Sequence, residues 1–336
     1  MSGALQTYKR VPLVKRTEYI FDFLAVVKNG YSKEATETKL AERKRFFEIE
    51  KMRAVGRGHP STARLKKTAR LLYFTQTLSR QIGLVELNDG IYYLTRTGDD
   101  LLQTVAQGGE PDAFLLSALL RTYPSFQEVF AAIDATKGRE MILPSTVVKS
   151  VFSEHATQYE LSVDLWTFDI VRDLSSQLGM LNWFREFVDE KRMQRVFLTS
   201  TISNEVGSSD ARDCYHFPLQ TAILGRTVVI TPNNSDFTSF RETLWKEYLT
   251  MTKYVPRKPV FYSALRARTC YALRISDRSF DRLAGKLMEN DDKYLLLAGG
   301  GSLPFSRDSA GVLKSLPPQT SRGTYMIYLK MDERRK

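Results

Sequence analysis

Three cationic side chains recur at intervals of four residues near the end of the chain: Arg278, Arg282 and Lys286. Residues four apart lie on one face of a helix, so the spacing predicts a cationic stripe opposite an apolar one. Arg and Lys bind phosphates and donate to the guanine edge in the major groove. The chemistry expected here is nucleic-acid binding. The alternative is that Asp277 and Asp281 pair with Arg282 and neutralise part of the surface.

A second cationic group crowds the start of a predicted helix in the first quarter of the chain: Arg64, Lys66, Lys67 and Arg70. Thr62 supplies a hydroxyl that can cap this helix. The N-terminal residues of a groove-reading helix usually reach the base edges. These residues are therefore predicted to bind DNA, and a solvated charged face is the alternative.

Four further cations complete the predicted DNA-binding set. Arg57 stands in Arg57-Gly58-His59-Pro60, one residue away from the Arg-Gly-Arg-Pro core of minor-groove hooks, whose arginines enter a narrow A·T groove. The sequence favours an ordinary flexible turn there, and groove binding by Arg57 is the other interpretation. The long stretch between two predicted strands carries the other three, Arg307, Lys314 and Arg322, which are expected to serve the groove and its flanking backbone.

No combination of residues supports catalysis. Asp189-Glu190-Lys191 has the residue types of a metal-dependent nuclease but falls at a predicted hairpin tip. Cys214 and His216 would supply only two zinc ligands. The run Gly299-Gly300-Gly301 lacks the Lys-Ser/Thr that follows a phosphate-binding loop. We therefore expect no enzyme, no cofactor and no metal.

Charge is divided unevenly along the 336 residues, whose formal net charge is +11. Residues 1–82 hold 18 Lys/Arg against 7 Asp/Glu, residues 83–255 hold 15 against 23, and residues 256–336 hold 16 against 8. Two basic ends around an acidic centre indicate two surfaces that meet a polyanion and one that does not. The acidic middle is expected to pack on its neighbours or to bind a protein partner.

Composition indicates a soluble, intracellular protein. The sequence has no run of eighteen apolar residues and no secretory signal, so no membrane association is expected. Two cysteines do not make a disulfide framework in a chain of this size. We expect a cytoplasmic location, with nucleoid association if the source is prokaryotic.

The elements that must position these cations follow one order three times: helix, turn, amphipathic helix, then two short strands. In the first copy a helix through Tyr19–Val27 and a helix to about Gln81 precede a hairpin that turns at Asn88-Asp89-Gly90. Residues 112–137 then predict a helical pair broken at Tyr123-Pro124.

The second and third copies have the same predicted order. A helix from Ser162 to Leu178 precedes strands at 180–184 and 195–199, and it carries Arg172 against Asp164, Asp169 and Asp173. Residues 203–236 are expected to be polar and irregular apart from the apolar run 227–230, and to form a linker or an inserted strand. Near the end, a helix through 261–273, a three-residue turn and a helix of 277–288 capped by Ser276 precede strands at 294–297 and 324–330.

Two passages resemble the DNA-recognition domains of type IIS restriction enzymes, which are made of successive winged units. They are LLYFTQTLSRQIGLVELNDGIYYLTRTG from Leu71 to Gly98 and the following AFLLSALLRTYPSFQEVF. The resemblance implies sequence-specific binding of duplex DNA, in defence against foreign DNA, and it does not carry over a nuclease.

The predicted fold is mainly α with small β-hairpins, of the α+β class, with tandem winged-helix units. The expected domains are a basic one over 1–110, an acidic one over 111–203, a linker or insert with a helix over 204–255 and a basic one over 256–336. The predicted function is non-catalytic binding of double-stranded DNA. The alternatives are a scaffold or adaptor subunit of a larger nucleoprotein complex, and an unrecognised nuclease or glycosylase.

Overall fold

The computed structural model describes residues 11–12, 14, 17–42, 73–107, 112–144, 165–188, 191–203, 219–223, 226–255, 260–290, 294–298 and 326–331. Within them, helices combine with small antiparallel sheets, which confirms the α+β class. The chain divides into two compact units, each assembled from three segments. The first takes the described residues of Met1–Ala132, Ala156–Leu174 and Ser203–Ile230, and the second those of Ile133–His155, Ser175–Ile202 and Thr231–Lys336. The predicted division into four consecutive domains stays a prediction.

Helices and one hairpin make up most of the first unit. In chain order these elements are α1 (Glu18–Val27), α2 (Lys33–Glu42), α3 (residues 73–81), β1 (Val85–Asn88), β2 (Ile91–Leu94), α4 (Arg96–Ala106), α5 (Asp112–Thr122) and α6 (Pro124–Ala135), the last of which runs on into the second unit.

The predicted hairpin of the first unit is confirmed. Asp89 and Gly90 both have positive φ, 50° and 76°, which is the turn geometry that matches the twist of the flanking strands. Ser32 forms an isolated antiparallel bridge to Ile91 on the other edge of β2. β2, the second strand of the hairpin, therefore lies between Ser32 and β1.

Hydrogen bonds join the hairpin to α4. Thr95 caps α4 by accepting from the Gly98 amide at 3.1 Å, and its hydroxyl donates to the Gly83 carbonyl at 2.7 Å. Gly98 lies so close to Leu84 that a Cβ atom there would be 2.1 Å from the Leu84 carbonyl oxygen. Only glycine fits this position without a shift of the backbone.

The predicted helical pair is also confirmed, because α5 ends at Thr122 and α6 begins at Pro124. Proline disfavours helical geometry in the residue before it, which is Tyr123. The Tyr123 ring is buried, and its hydroxyl donates to Oε1 of Gln81 at 2.5 Å. This bond ties the junction of the pair to the end of α3.

The described residues of the next part of the chain form one helix and six strands. They are β3 (Glu140–Pro144), α7 (Leu165–Gln177), β4 (Leu181–Val188), β5 (Lys191–Leu198), β6 (Ser200–Ser203), β7 (Leu219–Ile223) and β8 (Arg226–Pro232). In the second unit β5 lies between β3 and β4, and the β4–β5 hairpin pairs from Leu181↔Leu198 to Val188↔Lys191. In the first unit β7 pairs with β8, whereas we expected residues 219–223 to be irregular and only the apolar run 227–230 to be regular. An apolar strand such as 228–230 needs a partner for its backbone groups, and residues 219–223 provide one.

The remaining elements belong to the second unit. They are α8 (Phe237–Thr252), β9 (Val260–Phe261), α9 (Tyr262–Leu273), α10 (Asp277–Asn290), β10 (Tyr294–Ala298) and β11 (Met326–Met331). β11 lies between β9 and β10, so the last strand is again the central one.

The core of the second unit forms where α8, α9 and α10 meet. Phe280 of α10 makes edge-to-face contacts with Phe240 and Tyr262, at ring-centroid distances of 5.2 and 5.5 Å. Leu244 and Leu283 are buried in the same cluster. Each fully buried side chain of this size contributes about 1.5–3 kcal/mol, so this packing orients α10.

Among the described helices, none combines the length and the apolarity that crossing a bilayer requires.

Candidate nucleic-acid interface

The structure describes three of the twelve predicted DNA-binding residues, and all three lie on α10: Arg278, Arg282 and Lys286. The other nine lie outside the described residues. They are Arg57, Thr62, Arg64, Lys66, Lys67, Arg70, Arg307, Lys314 and Arg322. For these nine the DNA-binding role stays a prediction.

The cations of α10 occupy its outer face. Arg278 and Lys286 are exposed, and Arg282 is half-buried with its Nη2 donating to Oδ1 of Asn234 at 3.3 Å. The opposite face buries an apolar stripe that includes Phe280, Leu283, Ala284 and Leu287. The predicted opposition of a cationic and an apolar stripe is confirmed.

A three-residue turn sets the direction of α10 relative to α9. Arg274 has a φ of 54°, in the left-handed region, and its carbonyl accepts from Nδ2 of Asn233 at 3.0 Å. Ile275 is fully buried. Ser276 caps α10 as predicted, because its Oγ accepts from the Ser279 amide at 3.1 Å.

A second set of polar contacts anchors this turn to the sheet of β3, β4 and β5. Nη2 of Arg274 lies 2.7 Å from Oε2 of Glu140, while Oε1 of Glu140 accepts from Arg195 and, at 3.2 Å, from the Tyr271 hydroxyl. The Arg274 guanidinium also covers the Tyr271 ring at 4.4 Å and the Phe197 ring at 5.2 Å. The end of α9 is thus held by charge and by aromatic contact together.

The electrostatics of Glu140 follow from these partners. Burial raises its pKa, but the hydrogen bonds from Arg274 and Tyr271 and the charge of Arg195 outweigh that effect, so the pKa lies below its ordinary value. Glu140 therefore stays ionised at neutral pH.

Both acidic residues near the start of α10 have partners in the interior. Arg266 of α9 lies 2.8 Å from Oδ2 of Asp281 and 3.7 Å from Oδ2 of Asp277. Burial raises the pKa of Asp281 to about 6, against the lowering effect of Arg266. Burial lowers the pKa of the Arg266 guanidinium, but the two carboxylates outweigh this and raise it above its ordinary value, so Arg266 stays charged.

In helix α7 the single arginine lies between two acidic side chains. Arg172 is nearly buried and lies between two carboxylates, 2.6 Å from Asp169 and 2.7 Å from Asp173. Its charge is neutralised locally.

The described residues contain no group of three or more His, Cys, Asp or Glu side chains arranged to hold a metal ion.

Sequence reasoning missed the residues that position α10, which are Arg266, Arg274, Tyr271 and Glu140. One signal was present for Arg266. It lies in the row Tyr262, Arg266, Cys270 at helical spacing, so a cation interrupts a row of otherwise apolar or aromatic residues. For Glu140 and Arg274, which are 134 residues apart, the sequence carries no corresponding signal.

Comparison with known proteins assigns this chain to no family. No protein-family model matches the chain, and no curated protein matches its sequence. A solved structure of the restriction endonuclease FokI is similar over 93% of this chain at 8% identity and a TM-score of 0.31. The chain spans 64% of that enzyme's length, and the TM-score is too low for the likeness to assign a fold or a function.

Proposed function

We propose that this chain is a non-catalytic, double-stranded DNA-binding protein built from tandem winged-helix units, acting in the cytoplasm or on the nucleoid in a defence or regulatory system. The observation that supports it most directly is the outer face of α10, with Arg278, Arg282 and Lys286 opposite a buried apolar stripe. A helix fits the major groove, and cations at its start and along its outer face reach base edges and phosphates.

The order of elements around α10 supports a winged-helix unit. Helix α8, strand β9, helix α9, a three-residue turn, helix α10 and strands β10 and β11 follow one another, and β11 is central in the sheet. A helix-turn-helix followed by a hairpin places the second helix of the pair for groove binding. The long segment between β10 and β11, with Arg307, Lys314 and Arg322, is proposed to be the wing.

Two other parts of the chain support the tandem arrangement. In the first unit, α1, Ser32, α2, α3 and the strands β1 and β2 follow the same order, with β2 between Ser32 and β1. In the second unit the sheet of β3, β4 and β5 also has its last strand in the centre. The first of these repeats carries the predicted group Arg64 to Arg70 on the segment that leads into α3.

A second candidate function is a scaffold or adaptor subunit of a larger nucleoprotein complex. The observation that favours it is Arg172, which is paired with Asp169 and Asp173 on α7. A helix whose cation is neutralised in this way is suited to a protein partner rather than to phosphate. The two candidates are separated by comparing DNA binding of the isolated chain with the proteins that co-purify with it.

Binding of the full chain to short nucleic acids of one sequence tests the first proposal. Fluorescence anisotropy with duplex DNA, duplex RNA and single-stranded DNA should give the tightest binding to duplex DNA, with affinity falling as salt rises because counterions are released. Selection from random duplex DNA then identifies the preferred site. Affinity independent of salt, or equal for all three nucleic acids, contradicts the proposal.

The proposal that the chain does not cleave DNA is tested separately. Supercoiled and linear DNA incubated with the chain and Mg²⁺ or Mn²⁺ should remain intact, as judged on a denaturing gel. Cleavage that persists through purification and disappears with a chelator would establish a metal-dependent nuclease instead.

A further inference from the structure

Arg266 is a charged side chain in the interior of the second unit, directly beneath α10. The residue is 1% exposed, and its guanidinium also lies 5.9 Å from the centre of the Tyr262 ring. Burying a guanidinium without partners costs several kcal/mol, so such a residue is retained only where its charge is compensated. The compensating groups here are Asp277 and Asp281 of α10.

These two carboxylates occupy special places in the sequence of α10. Asp277 immediately precedes Arg278, and Asp281 immediately precedes Arg282. Asp281 also lies three residues after Arg278, the spacing at which side chains share one face of a helix, and a carboxylate turned toward an arginine competes with a phosphate for it. The charge available to DNA therefore depends on which way the two carboxylates point.

Every oxygen of the two carboxylates faces a donor of the interior. For Asp281, Oδ2 pairs with Arg266 at 2.8 Å and Oδ1 accepts from the Tyr262 hydroxyl at 3.0 Å. For Asp277, Oδ2 lies 3.7 Å from Arg266, while Oδ1 accepts from Nδ2 of Asn182 at 2.8 Å and lies 3.6 Å from the Cys270 thiol.

The position of Arg266 between the two carboxylates has an electrostatic consequence. From residue 277 to residue 286, α10 carries two anions and three cations. Arg266 places one positive charge between the two carboxylates, so the three groups together carry a net charge of about −1. This charge lies on the inner side of α10. Without Arg266, burial would raise the pKa of an inward Asp281 further, so this carboxylate would keep its charge only by turning outward, within about a Debye length of a phosphate bound at the outer face.

We propose that Arg266 is a positioning residue for the nucleic-acid interface, which holds Asp277 and Asp281 inward and so keeps the outer face of α10 cationic. This inference rests on the proposed function of α10 as a DNA-binding helix. It adds that a buried residue, which does not touch DNA, decides the strength of that binding.

The test compares three full-length chains: wild type, Arg266→Met, and the triple variant Arg266→Met/Asp277→Asn/Asp281→Asn. Binding to one short DNA duplex is measured by anisotropy over a range of salt concentrations, and folding is followed by circular dichroism. Arg266→Met should weaken binding by at least about tenfold, since two uncompensated carboxylates oppose the phosphates. The triple variant should bind within about threefold of wild type, because removing all members of a buried ionic group is often nearly neutral.

The decisive readout is a folded Arg266→Met that binds duplex DNA more weakly than wild type, because a role of Arg266 in stability alone would leave the binding of the folded variant unchanged. Arg266→Met that folds and binds like wild type overturns the inference, as does a folded triple variant that binds no better than Arg266→Met. An Arg266→Met that unfolds also overturns the inference, because the loss of binding then follows from the loss of the fold. Absence of duplex binding by wild type would reject the proposed function itself, whereas the other outcomes reject only the role of Arg266.

Discussion

The guanidinium of Arg274 lies 2.7 Å from the carboxylate of Glu140, across 134 residues of chain. Arg274 belongs to the turn between α9 and α10, and Glu140 begins β3. The ion pair connects the helix-turn-helix to a sheet formed by a different part of the chain. It makes the orientation of α10 depend on residues far from α10 in sequence.

Replacing Glu140 with Gln should lower the free energy of unfolding by about 1–3 kcal/mol at neutral pH, since Arg274 and Arg195 lose a charged acceptor. Because the pKa of Glu140 is lowered in the folded state, its contribution is present at neutral pH and is lost as the pH falls below about 4 and through the lowered pKa. Urea unfolding at a series of pH values measures this. The gap between wild type and Glu140→Gln should narrow in acid.

The matched control is Glu242→Gln, which changes an exposed carboxylate of α8 in the same unit. It should leave the free energy of unfolding nearly unchanged at every pH. A gap between wild type and Glu140→Gln that stays constant from neutral pH into strong acid would show that the ionised form of Glu140 is not what stabilises the fold.

Gly98→Ala should destabilise the first unit, because the added Cβ would meet the Leu84 carbonyl oxygen at 2.1 Å. Overpacking of this kind costs about 1–3 kcal/mol. Gly285→Ala in α10 is the contrasting change, since its Cβ would have no heavy atom within 4 Å. It should stabilise the helix by about 0.5–1 kcal/mol. Thermal unfolding followed by circular dichroism measures both, and a neutral Gly98→Ala would contradict the packing described for Thr95 and Gly98.

The predicted N-terminal DNA-binding group is tested by changing Arg64, Lys66, Lys67 and Arg70 together to Ala. Duplex binding should weaken, and the log-log salt slope should fall by about 0.9 for each phosphate that is no longer neutralised. The matched control removes four exposed cations described elsewhere in the first unit: Lys28, Arg80, Arg96 and Arg121. If the two variants bind duplex DNA equally weakly, binding depends on the net charge of the chain and not on the position of the cations Arg64 to Arg70.

Local features of the fold could be predicted from sequence because their causes are local. Asp89-Gly90 forms the turn that its residue types favour, Pro124 breaks a helical pair, and Ser276 caps α10. The alternation of Leu283 and Leu287 with Arg278, Arg282 and Lys286 predicted which face of α10 is buried. Each of these inferences needs only residues within one or two turns of helix or one hairpin.

What could not be predicted depends on interactions between distant residues. The alternative interpretation of α10 pairs Asp281 with Arg282, whereas the described partners of Asp281 are Arg266 and Tyr262. Which of two cations a carboxylate meets depends on helix packing, and the sequence does not reveal it. The same holds for the pairing of β7 with β8, since a short segment of mixed polar and apolar residues forms a strand once an apolar neighbour offers it backbone partners.

The central claim is that the outer face of α10 binds duplex DNA, and the most direct measurement is the salt dependence of binding by Arg278→Ala/Arg282→Ala/Lys286→Ala. Its control is Lys137→Ala/Lys246→Ala/Lys253→Ala, which removes the same charge from exposed residues of the same unit that lie off α10. We predict a log-log slope that is shallower by about 0.9 for each phosphate that the α10 variant no longer neutralises, and nearly unchanged in the control. A slope and affinity that are the same in the α10 variant as in wild type would contradict the account.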